Sequence, residues 1–469
     1  MTERENLPAK LAAQYLDATT EKRGSLVARG MAALRKDNDA LYRQARVVFD
    51  RRYGIRNWKT ADNPALSSAF KIFQQLADQD YGKAYYPLSI LYGGYQNIED
   101  GQTRAKHFTR MAIEWCLANQ ANEDVELWCD LGDMYRVSGR DGYGVEQDDV
   151  KAEIWFRKAA EHGDRRGQSE LGMLLDRSGG PQENEEAYSW IKKAAQQGDV
   201  WMQVYLGDMY DLGGPDEEAV YWFRKAAEQG NAGAQVSLGE MYKEGRGVER
   251  DDEQAVYWFR MAAEQGDERG QWKLGCMYSE GRGVPQDNEQ AEYWYRKAAG
   301  QDDYGDRQVE LGCMYSETNK EVRGFSKDDK QAAYWFSKAA EQDHERGQWS
   351  LGSMYEEGRG VGQDIERAVY WYRKAAEQGY ANAQDYLGVL YSLGKGVPQS
   401  DKLAVYWFIK AAEQGDKRGQ FNLGLMYEYG CGVAPDAEQS NFWYRKSAMK
   451  GYDLAQSKLN ESGIDWKND

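Results

Sequence analysis

Residues 351–384 read LGSMYEEGRGVGQDIERAVYWYRKAAEQGYANAQ, and near copies of this stretch fill most of the 469-residue chain. Leu351, Leu387 and Leu423 are 36 residues apart, and the same leucine recurs earlier with steps that vary around that period. The full set is Leu88, Leu131, Leu171, Leu206, Leu238, Leu274, Leu311, Leu351, Leu387 and Leu423. Four residues later comes a tyrosine in nine of these ten copies. A period of this size indicates a repeat protein, in which each unit packs only on its neighbours.

Each unit contains two amphipathic segments that predict two α-helices. Leu351, Met354 and Tyr355 are spaced i, i+3 and i+4, so they share one face of a first helix, called here helix A. Ala368 and Trp371 lie on one face of a second segment, called helix B. Small alanines let neighbouring helices approach closely, while the recurring tryptophan fills the space between them. The unit therefore predicts a helical hairpin.

The turns of this hairpin carry their own signals. A loop of the form G-x-G-V-x-x-D occurs at residues 281–287 and 358–364, and its glycines permit the left-handed backbone that ends helix A. Asp287 is placed to cap helix B, and Gln290 three residues later completes a capping box. Gly379 stands where helix B should end. Both ends of the hairpin are thus specified locally.

Length and composition fit an elongated, soluble repeat protein. Single compact cores stop growing near about 250–300 residues, whereas a solenoid has no such limit. The mean hydropathy is −0.86, and no stretch approaches the roughly 18 apolar residues that span a bilayer. The five cysteines show no paired spacing, as is usual in a reducing compartment. Because no signal peptide is visible, we expect a cytoplasmic protein.

The formal net charge of −17 bears on the partner. Nucleic acids and anionic membranes both bind surfaces with clustered lysine and arginine, so we expect neither as the main partner of this acidic chain. A protein or peptide with a basic or apolar surface suits this charge better.

Three regions follow from where the repeat starts and stops. Residues 1–60 lack the repeat and predict an N-terminal helical cap, because a terminal unit would otherwise expose its stacking surface; these helices could also form part of a binding surface. Residues 61–451 form the repeat solenoid, and residues 452–469 a C-terminal capping helix and polar tail. The loop between helices A and B is four residues longer at 136–150 and at 316–330. The edge that these loops share is a second candidate surface.

The pattern LGxMYxxGxGVxxDxxxAxxWxxKAAxxG closely resembles the Sel1-like repeat, a relative of the tetratricopeptide repeat, over about residues 64–460. The resemblance implies an all-α fold, a right-handed α-solenoid superhelix of antiparallel helix pairs with about ten repeats plus caps. It also implies that helix A lines a concave groove.

A search for catalytic chemistry mostly fails. His107, His162 and His344 lie in different repeats and share no metal-ligand spacing with a cysteine. Cys276 and Cys313 occupy the same position of adjacent repeats, about 8–10 Å apart at ordinary helix spacing, which is too far for a disulfide. We expect no enzyme, no metal and no cofactor.

Three rows of residues are candidates for binding. By analogy with tetratricopeptide units, positions five and two before the leucine, and two, five and six after it, face the groove. The arginines, which begin an Arg-Gly-Gln motif, are Arg166, Arg269, Arg346 and Arg418. The aromatics are Trp201, Trp272, Trp349 and Phe421, and the acids are Asp208, Glu280, Glu356 and Glu428. Arginine and tryptophan are enriched at binding hot spots; alternatively, the arginines pair with acids of adjacent repeats. The glycine of the motif costs about 1 kcal/mol inside a helix, which predicts close helix contact or a place in the first turn.

These observations favour a non-enzymatic protein–protein interaction scaffold or adaptor that binds a cognate protein or peptide in its groove. The resemblance also implies an alternative, a bacterial immunity protein that sequesters a secreted toxin. A β-lactamase-like enzyme is disfavoured, because the paired cysteines of such relatives are missing. Carbohydrate binding by the aromatic row is a third possibility.

Overall fold

The computed structural model describes residues 38–50, 64–79, 81–94, 100–119, 124–137, 147–176, 185–301, 305–316 and 326–464. These residues form 23 α-helices and no β-strand, arranged as the paired repeats of an α-solenoid. Most of the predicted N-terminal cap and of the two long loops lies outside the described residues. Among the described helices, none is both long enough and apolar enough to cross a membrane.

The chain divides into two compact units, Met1–Met209 and Tyr210–Asp469. The helices of the first unit are α1 (Asn38–Asp50), α2 (Pro64–Ala77), α3 (Tyr85–Gly94), α4 (Gly101–Ala118), α5 (Val125–Val137), α6 (Asp149–Glu161), α7 (Arg165–Asp176) and α8 (Glu185–Gln196). The boundary between the units falls within α9 (Val200–Gly213).

The second unit continues with strictly alternating helices A and B. They are α10 (Asp216–Glu228), α11 (Ala232–Glu244), α12 (Asp252–Glu264), α13 (Glu268–Glu280), α14 (Asn288–Ala299), α15 (Asp306–Ser316), α16 (Asp329–Glu341), α17 (Glu345–Glu357), α18 (Ile365–Glu377), α19 (Ala381–Leu393), α20 (Asp401–Glu413), α21 (Lys417–Tyr429), α22 (Ala437–Met449) and α23 (Asp453–Glu461). Even-numbered helices from α10 to α22 are helices B, and odd-numbered helices from α11 to α23 are helices A.

The predicted helix caps are confirmed, but the second bond of the capping box does not form, because the backbone N–H of Asp287 donates to the carbonyl of Tyr278 and not to the side chain of Gln290. Asp287 caps α14 by accepting from the backbone N–H of Gln290, and Gly281 ends α13 in the left-handed conformation. The glycine of the Arg-Gly-Gln motif lies in the first turn of its helix and also allows close contact with helix B. Gly270 donates its N–H to the capping Asp267 in the first turn of α13, and a Cβ on Gly270 would lie only 2.7 Å from the Ala262 methyl of helix B.

A ladder of buried glutamines joins successive pairs at five places in the described residues, and the sequence pattern did not single it out. Gln348 of helix A donates to the carbonyl of Ala340 at the end of the preceding helix B, and its own Oε1 accepts from Gln378. The same side-chain bond recurs between Gln197 and Gln168, Gln265 and Gln235, Gln301 and Gln271, and Gln414 and Gln384. Because buried amides are costly unless paired, this ladder fixes how successive pairs stack.

The loop between helices A and B makes the second inter-repeat contact. Its basic residue reaches back to the aspartate that begins the preceding helix B. The pairs are Arg246 with Asp216 (2.8 Å), Arg282 with Asp252 (2.7 Å) and Arg359 with Asp329 (3.6 Å).

Candidate partner-binding surface

The four arginines predicted to line one row divide into two kinds. Arg166 is enclosed in the first unit, where its guanidinium contacts Asp130 at 2.9 Å and Asp133 at 2.5 Å. Both aspartates are buried, and Arg46 of α1 contacts Asp130 as well, at 2.9 Å. Arg166 therefore pairs with acids of the adjacent repeat, which is the alternative that the sequence left open.

The electrostatics of this cluster explain how two buried carboxylates are tolerated. Burial opposes ionisation of Asp133, but the adjacent guanidinium groups of Arg166 and Arg136 hold its carboxyl pKa below the usual range. The hydroxyl of Tyr86 donates to the same carboxylate at 3.1 Å. Asp133 is thus kept charged by its partners.

The other three arginines are exposed on helices A of the second unit. Arg269 lies 4.0 Å from Glu240, and Arg418 lies 3.6 Å from Asp385. Arg346 is exposed and forms no ion pair with any residue that the structure describes. These guanidinium groups remain available to solvent.

The predicted aromatic row is also divided. Trp201 in the first unit is 50% exposed, whereas Trp272 is only 4% exposed. The expectation that Trp272 stands on an open surface is wrong, because Tyr295 packs on one side (ring centroids 4.5 Å apart) and the guanidinium of Arg307 covers its ring at 4.8 Å. Trp349 and Phe421 are half-buried and keep part of their rings open.

Trp272, Trp349 and Phe421 belong to a three-part module that recurs in alternate repeats of the second unit. An aromatic two residues before the leucine packs on a tyrosine of helix B, and this tyrosine hydroxyl bonds a polar side chain near the end of helix A. The modules are Trp272–Tyr295–Ser279, Trp349–Tyr372–Glu356 and Phe421–Tyr444–Glu428. The intervening repeats hold Val309 with Phe336 and Asp385 with Phe408. The sequence distinguishes these repeats by Trp-Tyr rather than Trp-Phe in helix B.

The predicted acids lie in different surroundings. Asp208 and Glu280 are exposed, and Glu280 is 3.6 Å from Arg282. Glu356 is largely enclosed and accepts from the hydroxyls of Tyr372 (2.9 Å) and Tyr386 (2.8 Å). Glu428 accepts from Tyr444 at 2.6 Å. Burial disfavours ionisation of both glutamates, yet their hydrogen bonds and nearby lysines hold both pKa values below the usual range.

A second aromatic row, which the sequence analysis missed, lies on helices B. Each member is about half exposed and packs edge-on against the tryptophan that follows it. The row consists of Tyr221, Tyr257, Tyr293, Tyr334, Tyr370, Tyr406 and Phe442. The repeated Tyr-Trp dipeptide was the signal for it.

The described ranges contain neither a cluster of metal-binding side chains nor a disulfide between Cys276 and Cys313. No three His, Cys, Asp or Glu side chains of these ranges come together so as to hold a metal ion. Cys276 and Cys313 are free thiols.

Asp385 makes the stability of the second unit depend on pH. Burial raises its carboxyl pKa to about 6, although Asn422 donates to it at 2.7 Å. A carboxyl pKa above the unfolded value means that the folded state binds the proton more tightly, so stability falls as pH rises from about 4 to about 6. Asp385→Asn is expected to raise the free energy of unfolding at pH 7 by about 1–3 kcal/mol and to flatten this slope. Urea unfolding at pH 4.5, 6 and 7.5 measures it; an unchanged slope would contradict the assignment.

Comparisons with known proteins agree with this architecture. The family model described as the Sel1 repeat matches nine segments of the chain. They are residues 131–164, 166–199, 202–231, 232–267, 269–303, 308–344, 346–380, 381–416 and 417–452. A comparison with curated proteins finds no match.

Two crystal structures are similar over most of their length. One is c5321, a protective antigen present in uropathogenic Escherichia coli strains, with 34% identity over 85% of this chain and 84% of that chain, and a TM-score of 0.52. The other is a Sel1 repeat protein from Oxalobacter formigenes, with 33% identity over 66% of this chain and 89% of that chain, and a TM-score of 0.53.

Proposed function

The chain belongs to the Sel1 repeat family, and from that premise we propose that it is a non-enzymatic scaffold that holds a cognate protein or peptide on the helices A of its second unit. Proteins built from Sel1 repeats generally mediate protein–protein interactions and are typically not catalysts. For this chain, we propose that the helices A of the second unit form the binding surface.

The observation that carries the proposal is the pairing of an exposed arginine with an aromatic three residues later. Arg346 with Trp349 and Arg418 with Phe421 present a guanidinium and a partly open ring one turn apart on α17 and α21. Arginine and large aromatics are the residue types most enriched at binding hot spots.

Fold stability does not account for Arg346, whereas Arg418 contacts Asp385 at 3.6 Å and Asn382 at 3.1 Å. Each lies in the first turn of its helix, where the helix dipole disfavours positive charge. Arg346 gains no ion pair within the described ranges in return. A cation kept at an unfavourable position and exposed to solvent fits recognition better than folding.

Replacing Arg346 and Trp349 together by alanine is expected to weaken binding of the cognate protein at least about tenfold, as for the loss of two hot-spot side chains. The partner is first isolated by affinity purification with the wild-type chain from the organism that makes it. Isothermal titration calorimetry with the purified partner then gives the dissociation constants.

The matched control removes the same two classes of side chain from helix B. Arg367 and Tyr370 are exposed on α18, and Tyr370 belongs to the second aromatic row. Arg367→Ala/Tyr370→Ala should bind as tightly as the wild type. Loss of binding in this control variant, with binding retained by Arg346→Ala/Trp349→Ala, would move the interface to helices B and overturn the proposal.

A further inference from the structure

Every one of the three aromatic modules in the second unit already holds a basic side chain. The guanidinium of Arg307 lies over Trp272. The ammonium of Lys395 is 2.6 Å from Glu356, and that of Lys458 is 2.9 Å from Glu428. Each occupant comes from the repeat or capping helix that follows the module.

The three occupants come from different places in the sequence. Arg307 belongs to the first turn of α15, Lys395 to the loop after α19, and Lys458 to the last turn of α23. What recurs is therefore the module and not the residue that fills it. In the first module the ring of Trp272 faces the cation, and Arg307 also pairs with Glu268 and Glu310. In the other two modules the carboxylate of the module holds the cation.

Lys395 is at the Glu356 module for an identifiable reason. It occupies the loop position of Arg246, Arg282 and Arg359, whose partner is the aspartate that begins the preceding helix B. At that place α18 begins with Ile365. Because this position holds no aspartate, the ammonium of Lys395 contacts Glu356 instead, and the Lys395 side chain is 54% exposed. Lys395 is the most exposed of the three occupants, because the side chains of Arg307 and Lys458 are only 26% and 28% exposed.

We propose that the Glu356 module is a receptor for a lysine or arginine side chain of the protein partner, and that Lys395 is a resident occupant which the partner displaces. The inference rests on the proposed function and names the chemistry that the surface recognises. Glu356 is only 13% exposed and is held by Tyr372 and Tyr386, so the carboxylate is fixed before a partner arrives.

The exchange is energetically modest because one cation replaces another beside the same carboxylate. The side chain of Lys395 is half exposed to solvent, so the loss of its ion pair with Glu356 opposes binding only weakly. Trp349 packs on Tyr372 and Tyr386 at 4.9 and 5.6 Å, so its indole lies beside the entry to the carboxylate and reports on its occupation.

The test uses the full chain labelled with 5-fluorotryptophan and two pentapeptides, Gly-Ser-Lys-Ser-Gly and its norleucine counterpart, both acetylated and amidated. The Trp349 signal in the ¹⁹F NMR spectrum is assigned by its disappearance in Trp349→Phe. The lysine peptide should shift this signal saturably, and the norleucine peptide should not. Lys395→Met should reduce the half-saturating concentration about two- to fivefold, the size expected when one competing exposed ion pair is removed. Ile365→Asp, which offers Lys395 the usual aspartate, should act in the same direction.

Glu356→Gln should weaken lysine-peptide binding at least about tenfold, whereas Glu377→Gln, an equal charge change at an exposed end of α18, should leave it unchanged. Far-UV circular dichroism and urea unfolding check that each variant is folded. Equal binding by Glu356→Gln and Glu377→Gln, or no gain in Lys395→Met, would overturn the inference. If the partner still depends on Arg346 and Trp349 in that case, the proposed function stands without the lysine receptor. If the partner binds Arg346→Ala/Trp349→Ala normally, the proposed function itself fails.

Discussion

Replacing Arg166 by alanine is expected to lower the free energy of unfolding of the first unit by about 3 kcal/mol, because it leaves two buried carboxylates with one arginine each instead of two. Asp133 is 1% and Asp130 5% exposed, and the guanidinium of Arg166 contacts both. In the variant, Arg46 stays beside Asp130 and Arg136 stays beside Asp133, which they contact at 2.9 and 3.2 Å in the wild type. Urea unfolding followed by circular dichroism measures the loss.

The dependence of this loss on pH separates a charge effect from a packing effect. In the wild type the carboxyl pKa of Asp133 is held low, so its contribution is present at neutral pH and fades as pH falls. Without Arg166 the pKa of Asp133 in the folded state should rise, so the variant loses less stability than the wild type as pH falls. The difference between variant and wild type should therefore be smaller at pH 4.5 than at pH 7.5.

Arg346→Ala is the matched control, because Arg346 stands at the same repeat position on an exposed surface. Its effect on unfolding should stay within about 0.5 kcal/mol. Equal losses for Arg166→Ala and Arg346→Ala would contradict a structural role for Arg166.

The fold could be predicted because its determinants are local and repeated. Leu351 and Trp371 set the helical periodicity, Asp287 caps a helix from three residues away, and Gly281 ends one by its own backbone conformation. Each of these features depends on residues within one turn, and each is stated again in the next repeat. The sequence therefore contains the same information several times.

The candidate site was less predictable because the fate of each side chain depends on another repeat. Arg166 and Arg346 hold one position in the consensus, but only Arg166 meets buried aspartates, which come from α5. Trp272 and Trp349 also share a position, but only Trp272 is covered by an arginine, Arg307. Such differences require knowing which non-consensus residues face each other across a repeat interface.

The second glycine of the loop between helices A and B is expected to be the least replaceable glycine position, for a reason that a single repeat does not reveal. Gly360 has a φ of +70°, and a Cβ there would collide with the backbone carbonyl of Asp329, which belongs to the preceding repeat. Backbone cannot rotate away as a side chain can. We expect Gly360→Ala to lower the free energy of unfolding by at least about 3 kcal/mol, combining left-handed strain with overpacking.

Gly451 provides the control that isolates the collision from the strain. Its φ of +72° matches that of Gly360, but a Cβ there would meet nothing within 4 Å. Gly451→Ala should therefore cost only the left-handed strain, about 1–2 kcal/mol. Because repeat proteins are stabilised by interfaces between neighbours, Gly360→Ala should also split urea unfolding into two steps as the repeats on either side of the loop lose their coupling. A single transition, shifted no further than in Gly451→Ala, would show that the loop bends aside and that stacking depends on the glutamine ladder and helix packing instead.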